Sequence, residues 1–189
     1  MNIGLDIDEV VCELVPKILD SMSQSWGISN TIDVFSNYNF FENLYTSCDK
    51  TNEAIAHDIV KWVNDPDYLY NTKPFPGTEL FIRNLMAQGH EIHFITARPE
   101  LSAQATKEWL DHFNIPYTSV HIIGLGACKG QIGRDLNLDV YVDDHAGNVD
   151  AMVKFTKALN FLIDRPWNRC YTNKKVVRVS KLQDIEEYL

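Results

Sequence analysis

Apolar and polar positions change period several times along the chain, and the changes delimit its elements. Asn2 to Ile7 reads as a short buried strand, apolar within and bounded by acids. From Val11 to about Trp26 the spacing turns helical, with Pro16 near its start. Residues 28–50 are rich in Ser, Asn, Thr and aromatic side chains and hold no long period. Asn52 to Val63 returns to helical spacing. NDPDYLYNTKPFPG, residues 64–77, then breaks the pattern with prolines and a closing glycine.

Beyond Pro76 helices and strands alternate. A helix over Gly77 to Gln88 stops at Gly89 and leads into the strand HEIHFIT. A helix from Glu100 to Phe113 precedes TSVHII, and a short helix over Lys129 to Asp135 precedes DVYVDD. The pattern closes with a helix over Asn148 to Lys157, the strands ALNFLID and VVRV, and a terminal helix. Strands that are continuous apolar runs between helices indicate a parallel sheet covered on both faces. The fold class is therefore α/β, a Rossmann-like parallel sheet with one strand at the N-terminus and the others after about residue 73. The segment 13–72, roughly 60 residues, is too long for a crossover and too patterned for a loop. It is expected to be a small helical cap inserted into a core of residues 1–12 and 73–189.

Composition narrows the function classes. A chain of 189 residues with 45% apolar residues can build a full core. No apolar run is long enough to span a bilayer, and no basic stretch precedes an apolar one at the start, so a cytoplasmic location without membrane contact is expected. Cys12, Cys48, Cys128 and Cys170 are scattered with no CxxC pair, which favours reduced thiols over a zinc site or disulfide framework. A net charge of −9 argues against a stable nucleic-acid complex but leaves room for a small phosphorylated substrate, because local cations can reverse the field inside a cleft.

The candidate chemistry lies at strand ends. In open parallel sheets ligands bind outside the carboxyl ends of the strands. The first strand runs into Asp6-Ile7-Asp8-Glu9, HFIT ends at Thr96, and VYV ends at Asp143-Asp144, with Lys129 opening the preceding helix. Singly these are weak signals. The DPD at Asp65–Asp67 shows how readily DxD arises in an acidic chain, since no strand precedes it. Their order and common placement at one sheet edge carry the weight.

LDIDEV, FIT ending at Thr96, Lys129 in ACKG, and YVDD resemble the four motifs of the haloacid dehalogenase superfamily of phosphohydrolases. The cap between the first two motifs, TARPE after the second and FLIDRPWNR after the fourth are similar to the 5'(3')-deoxyribonucleotidase family and its bacterial and phage relatives. The resemblance implies a Mg²⁺-dependent phosphomonoesterase acting on nucleoside monophosphates through an aspartyl-phosphate. It implies Asp6 as nucleophile, Asp8 as general acid and base, and Thr96 and Lys129 as phosphate-binding catalytic residues. The metal ligands it implies are the Asp6 carboxylate, the Asp8 backbone carbonyl and an acid of the Asp143-Asp144 pair, with Asp144 favoured as the direct ligand.

Other residues divide between substrate contact and plain structure. Arg98 either reaches a phosphate or nucleotide hydroxyl or caps a helix. Arg165 and Arg169 more commonly fix a loop by ion pairs. Phe35, Tyr38, Phe40, Phe41, Tyr45 and Trp62 either stack on a base or form the core of the cap, with Phe40 and Phe41 chosen as substrate contacts. GLGACKG has the wrong spacing for a dinucleotide loop, and His145 reads as a loop histidine beside the acids. The rival readings are the same chemistry on another small phosphate ester or a polynucleotide 3'-phosphate, and a binding module without turnover. A homodimer is left open.

Overall fold

The computed structural model describes residues 1–27, 32–34, 52–124 and 126–189. Six strands form one parallel sheet: β1 (Asn2–Leu5), β2 (Glu91–Thr96), β3 (Ser119–Ile122), β4 (Val140–Asp143), β5 (Leu159–Ile163) and β6 (Val176–Val179). Their order is β3-β2-β1-β4-β5-β6, with Leu5 opposite Phe94 on one side and Val142 on the other. Order reverses between β1 and β4, and the crevice at such a switch point is where ligands bind. The expected α/β architecture is the observed one.

Alternation within the strands assigns the two faces. Ile3, Leu5, Phe94, Val142, Phe161 and Ile163 pack under α4 (Thr78–Ala87) and α5 (Ala103–His112), through Phe81, Ile82, Leu85, Trp109 and Leu110. Ile95, Tyr141 and Leu162 pack on the other face under α6 (Lys129–Asp135) and α7 (Ala146–Phe155), through Ile132, Val149 and Met152. Each such side chain contributes about 1.5–3 kcal/mol relative to exposure.

Two glycines matter locally. Gly89, at φ +88, ends α4 as its spacing predicted, and the His90 N–H then reaches back 3.1 Å to the Leu85 carbonyl. Gly130 lets α6 lie directly on α7, because a Cβ there would stand 2.5 Å from the Ala151 carbonyl oxygen. That close approach fixes where α6 begins, and α6 begins with Lys129.

Within 13–72, α1 (Leu14–Trp26) and α2 (Asn52–Val63) share a separate apolar cluster of Val15, Ile18, Met22, Ile55 and Ile59. Trp167, far off in sequence, is the sixth buried member of that cluster. The short helix α3 (Pro66–Tyr70) links the two parts: Tyr68 stacks on Trp62 of α2, while Tyr70 lies against His112 of α5.

Boundaries differ from the sequence pattern where side chains take over from the backbone. β1 ends at Leu5 rather than Ile7: the Asp6 N–H still reaches the Val142 carbonyl of β4 at 3.0 Å, but the Ile7 carbonyl already accepts the Val11 and Cys12 N–H groups of the turn that follows. The helix expected from Glu100 begins as a 3₁₀ turn, Glu100–Ser102, and the terminal helix is 3₁₀ throughout Leu182–Tyr188. Among the described residues no helix is long and apolar enough to cross a membrane.

Candidate active site

At the carboxyl edge of β1 and β4, Asp6, Asp143 and Asp144 bring carboxylate oxygens within 4.8 Å of one another, all three buried. Lys129 enters from the first turn of α6, only 1% exposed, and its Nζ lies 2.8 Å from Asp6 Oδ1 and 2.9 Å from Asp143 Oδ2. Burial works against the ammonium, but Asp143 and Asp6 outweigh it and hold the Lys129 pKa above its ordinary value.

The acids have different partners, and this separates their roles. Asp143 is held on all sides: Lys129 Nζ, the Tyr141 hydroxyl and Asn148 Nδ2 (3.1 Å) donate to Oδ2, and the His145 backbone N–H donates to Oδ1 at 2.7 Å. Asp6 receives Lys129 and the Ile7 N–H (2.8 Å) on Oδ1, and among the described residues none donates to its Oδ2. Asp144 accepts from Trp167 Nε1 at 2.8 Å. Burial, with repulsion from neighbouring carboxylates, raises Asp6 to about 7 and Asp144 well above the usual carboxylate range. Buried carboxylates at this separation, with all-oxygen donors and raised pKa values, suit a hard cation such as Mg²⁺.

The flanking acids are each given an arginine. Arg98, 4% exposed, grips Asp8 with Nε 3.0 Å from Oδ2 and Nη2 2.8 Å from Oδ1. The same guanidinium donates to Thr106 Oγ1 and Cys12 Sγ, and the Cys12 thiol donates to Asp8 at 3.2 Å. Burial pushes Asp8 up, but the Arg98 charge and hydrogen bonds override it and leave the pKa lowered. Glu9 adopts φ 61, a left-handed conformation that costs a long side chain strain. Its Oε1 accepts the Val15 N–H at 2.6 Å, capping α1, while Arg165 Nε lies 3.3 Å from Oε2. Burial leads in raising Glu9 to about 7 despite that arginine.

Thr96 is fully buried at the end of β2, its Oγ1 accepting the Arg98 backbone N–H at 3.2 Å. Asp6, Thr96, Asp143 and Asp144 at strand ends and Lys129 at the start of α6 thus reach one sheet edge, the placement their order along the chain suggested. Arg98 lies with its guanidinium on Asp8 rather than turned outward. Arg169 forms an exposed pair with Asp33, and His145 caps α7 through Nδ1. Trp62 is stacked between Trp26 and Tyr68. Phe35, Tyr38, Phe40, Phe41 and Tyr45 lie outside the described residues. Sequence reasoning missed Tyr141, Asn148 and Trp167. Tyr141 alternates with Asp143 on one strand and had a local signal, whereas Trp167 comes from a distant loop and had none.

The whole chain, residues 1–189, matches the family described as 5' nucleotidase, deoxy (pyrimidine), cytosolic type C protein. A candidate nucleotidase of Oceanobacillus iheyensis is 28% identical over 93% of this chain and 91% of its own. Another, from Bacillus subtilis, is 22% identical over 100% and 93%. Among solved structures, a haloacid dehalogenase-like hydrolase of Streptococcus pneumoniae superposes with a TM-score of 0.62 at 13% identity, covering 99% of this chain and 97% of that one. A predicted phosphatase of Clostridium acetobutylicum gives 0.62 at 14% identity, covering 100% and 98%.

Two outcomes follow from the charge arrangement. Arg98→Ala strands the Asp8 carboxylate and should cost about 3 kcal/mol in urea unfolding, the low end for a broken buried pair because Asp8 keeps some access to water. Adding Asp8→Asn should recover part of the loss, and equal stability of the single variant and wild type would contradict the pairing. The second outcome concerns pH. Because Asp6 and Glu9 sit at about 7 when folded, against 3.8 and 4.5 otherwise, the native chain holds more protons across that window. Metal-free protein should therefore lose stability as pH rises from about 5 to 7, with a falling Tm in EDTA. A divalent cation, which binds the ionised acids, should flatten that slope. A Tm that climbs over this range in EDTA would contradict it.

Proposed function

The chain belongs to the 5' nucleotidase, deoxy (pyrimidine), cytosolic type C protein family, and we propose that it hydrolyses (deoxy)nucleoside monophosphates to nucleoside and phosphate through a phosphorylated Asp6. Family membership and fold make it a phosphoric monoester hydrolase of the haloacid dehalogenase superfamily, with a small phosphate ester as substrate. The observation that best supports the finer reading is Asp6 itself. Its Oδ1 is fixed by Lys129 and the Ile7 N–H, which leaves Oδ2 as the attacking atom.

The residues that would hold Mg²⁺ are the Asp6 and Asp144 carboxylates and the Asp8 backbone carbonyl. Asp143, engaged by four donors, serves to position Lys129 and the loop after β4. A bound Mg²⁺ supplies charge neutralisation for carboxylate and phosphate and orients the ester. Asp6 Oδ2 forms a bond to phosphorus as the bond from phosphorus to the ester oxygen breaks, and the leaving oxygen takes a proton from Asp8. Water then attacks the phosphorus of the acyl phosphate, passes its proton to Asp8 and frees Asp6. Lys129 and the Thr96 hydroxyl bind phosphoryl oxygens during both steps.

Arg98 bears on the proton transfers. As held here, Asp8 is ionised, the form that accepts a proton from water. Donation to the leaving oxygen requires Asp8 to loosen from Arg98 and become protonated. On this reading Arg98 acts on Asp8 and not on the nucleotide.

The test is phosphate release from ribo- and deoxyribonucleoside 5'- and 3'-monophosphates, sugar phosphates and 3'-phosphorylated oligonucleotides, each with Mg²⁺ or EDTA. The expected result is Mg²⁺-dependent turnover concentrated on deoxyribonucleotides, reduced by about 10⁴-fold or more in a folded Asp6→Asn variant. Turnover confined to sugar phosphates or oligonucleotides would discard the nucleotide substrate. Wild-type rates in Asp6→Asn would discard the nucleophile.

A further inference from the structure

Trp167 belongs to two structures at once. It sits in the 3₁₀ turn Pro166–Asn168 after β5, 5% exposed, with its ring in the apolar cluster built by Val15, Ile18 and Met22 of α1 and Ile55 and Ile59 of α2. Its indole Nε1 donates to Asp144 Oδ2 at 2.8 Å. The next residue secures the same acid from the other side: Asn168 Nδ2 donates to the Asp144 carbonyl at 2.8 Å and to the Ile163 carbonyl at 2.7 Å. One short turn therefore clamps Asp144 by side chain and by backbone, and that turn takes its bearings from α1 and α2.

We infer that Trp167 is a positioning residue through which the packing of α1 and α2 sets the affinity of Asp144 for a divalent cation. A ring wedged among β-branched and methionine side chains cannot rotate without displacing them, so its N–H points where the cluster puts it. An indole N–H is a neutral donor. It orients one carboxylate oxygen without supplying a positive charge that would compete with a cation, in contrast to the ammonium on Asp143. Donors that orient a ligand in this way are worth roughly 10- to 100-fold in metal affinity. The coupling is reciprocal, so a cation bound at Asp144 also favours the α1–α2 arrangement that holds Trp167 in place. Substrate contact on the helical segment would then be felt at the cation, and cation binding at the helices.

The inference rests on the reading of Asp144 as a cation ligand, and the experiment separates the two. Mn²⁺ binding to the full chain is followed by EPR in wild type, Trp167→Phe and Ile59→Ala, with circular dichroism confirming the fold. Trp167→Phe keeps an aromatic ring but loses the donor, and should weaken Mn²⁺ by roughly 10- to 100-fold. Ile59→Ala removes an apolar member of the cluster around Trp167 and leaves the indole donor in place, and should weaken Mn²⁺ by at least about twofold. Wild-type affinity in folded Trp167→Phe overturns the inference. If that variant does not fold, unchanged affinity in Ile59→Ala overturns it instead. Absence of Mn²⁺ binding in the wild type overturns the cation site itself.

Discussion

Three carboxylates buried within 4.8 Å of one another are the constraint around which the rest is arranged. Left alone they would protonate or drive the site open, since desolvation and repulsion both oppose ionisation. The fold answers with position. Parallel pairing of β1 and β4 sets Asp6 beside Asp143, and Gly130 lets α6 approach α7 closely enough to deliver Lys129 between them. The nearby acids Asp8 and Glu9 are each given their own arginine, so that Lys129 remains with Asp6 and Asp143. The raised pKa values of Asp6 and Asp144 measure what this arrangement leaves for a cation to offset.

The same acids divide by the kind of donor they meet. Asp143, saturated with hydrogen bonds, is a fixed support. Asp6, held through a single oxygen, is directed yet available, and Asp144 is oriented by a neutral indole. These differences assign separate duties to side chains that look alike in the sequence. They also tie the edge of the sheet to α1 and α2, because Trp167 and Glu9 both reach from the site into those helices. A change in the helical segment therefore has a physical route to the acids.

Much of this is legible in the amino-acid sequence. Apolar runs ending in Asp6, Thr96 and Asp143 announce strands of a covered parallel sheet, and the rule that ligands gather at their carboxyl ends brings these residues together. The helix over Asn52–Val63 follows from its spacing alone. What stayed hidden depends on side-chain direction across long separations. Arg98 follows Thr96 by two residues, and nothing in its neighbours says that it folds back 90 positions onto Asp8. Trp167 carries no helical or strand period, and its partners lie on α1, α2 and the loop after β4. Glu9 looked like a third acid of the same kind, whereas its backbone turn and its cap on α1 depend on a φ that no sequence pattern displays.

The central claim is that Asp6 Oδ2 attacks phosphorus. The most direct measurement is acid-quenched mass spectrometry of wild-type protein during turnover with Mg²⁺ and a deoxyribonucleoside monophosphate, read on the peptic peptide that carries Asp6, digested at acid pH where an acyl phosphate survives. The account predicts a transient phosphoryl group on Asp6, absent before substrate is added and absent in Asp6→Asn. Steady turnover with no phosphoryl group on that peptide, or with the group on another residue, would contradict it.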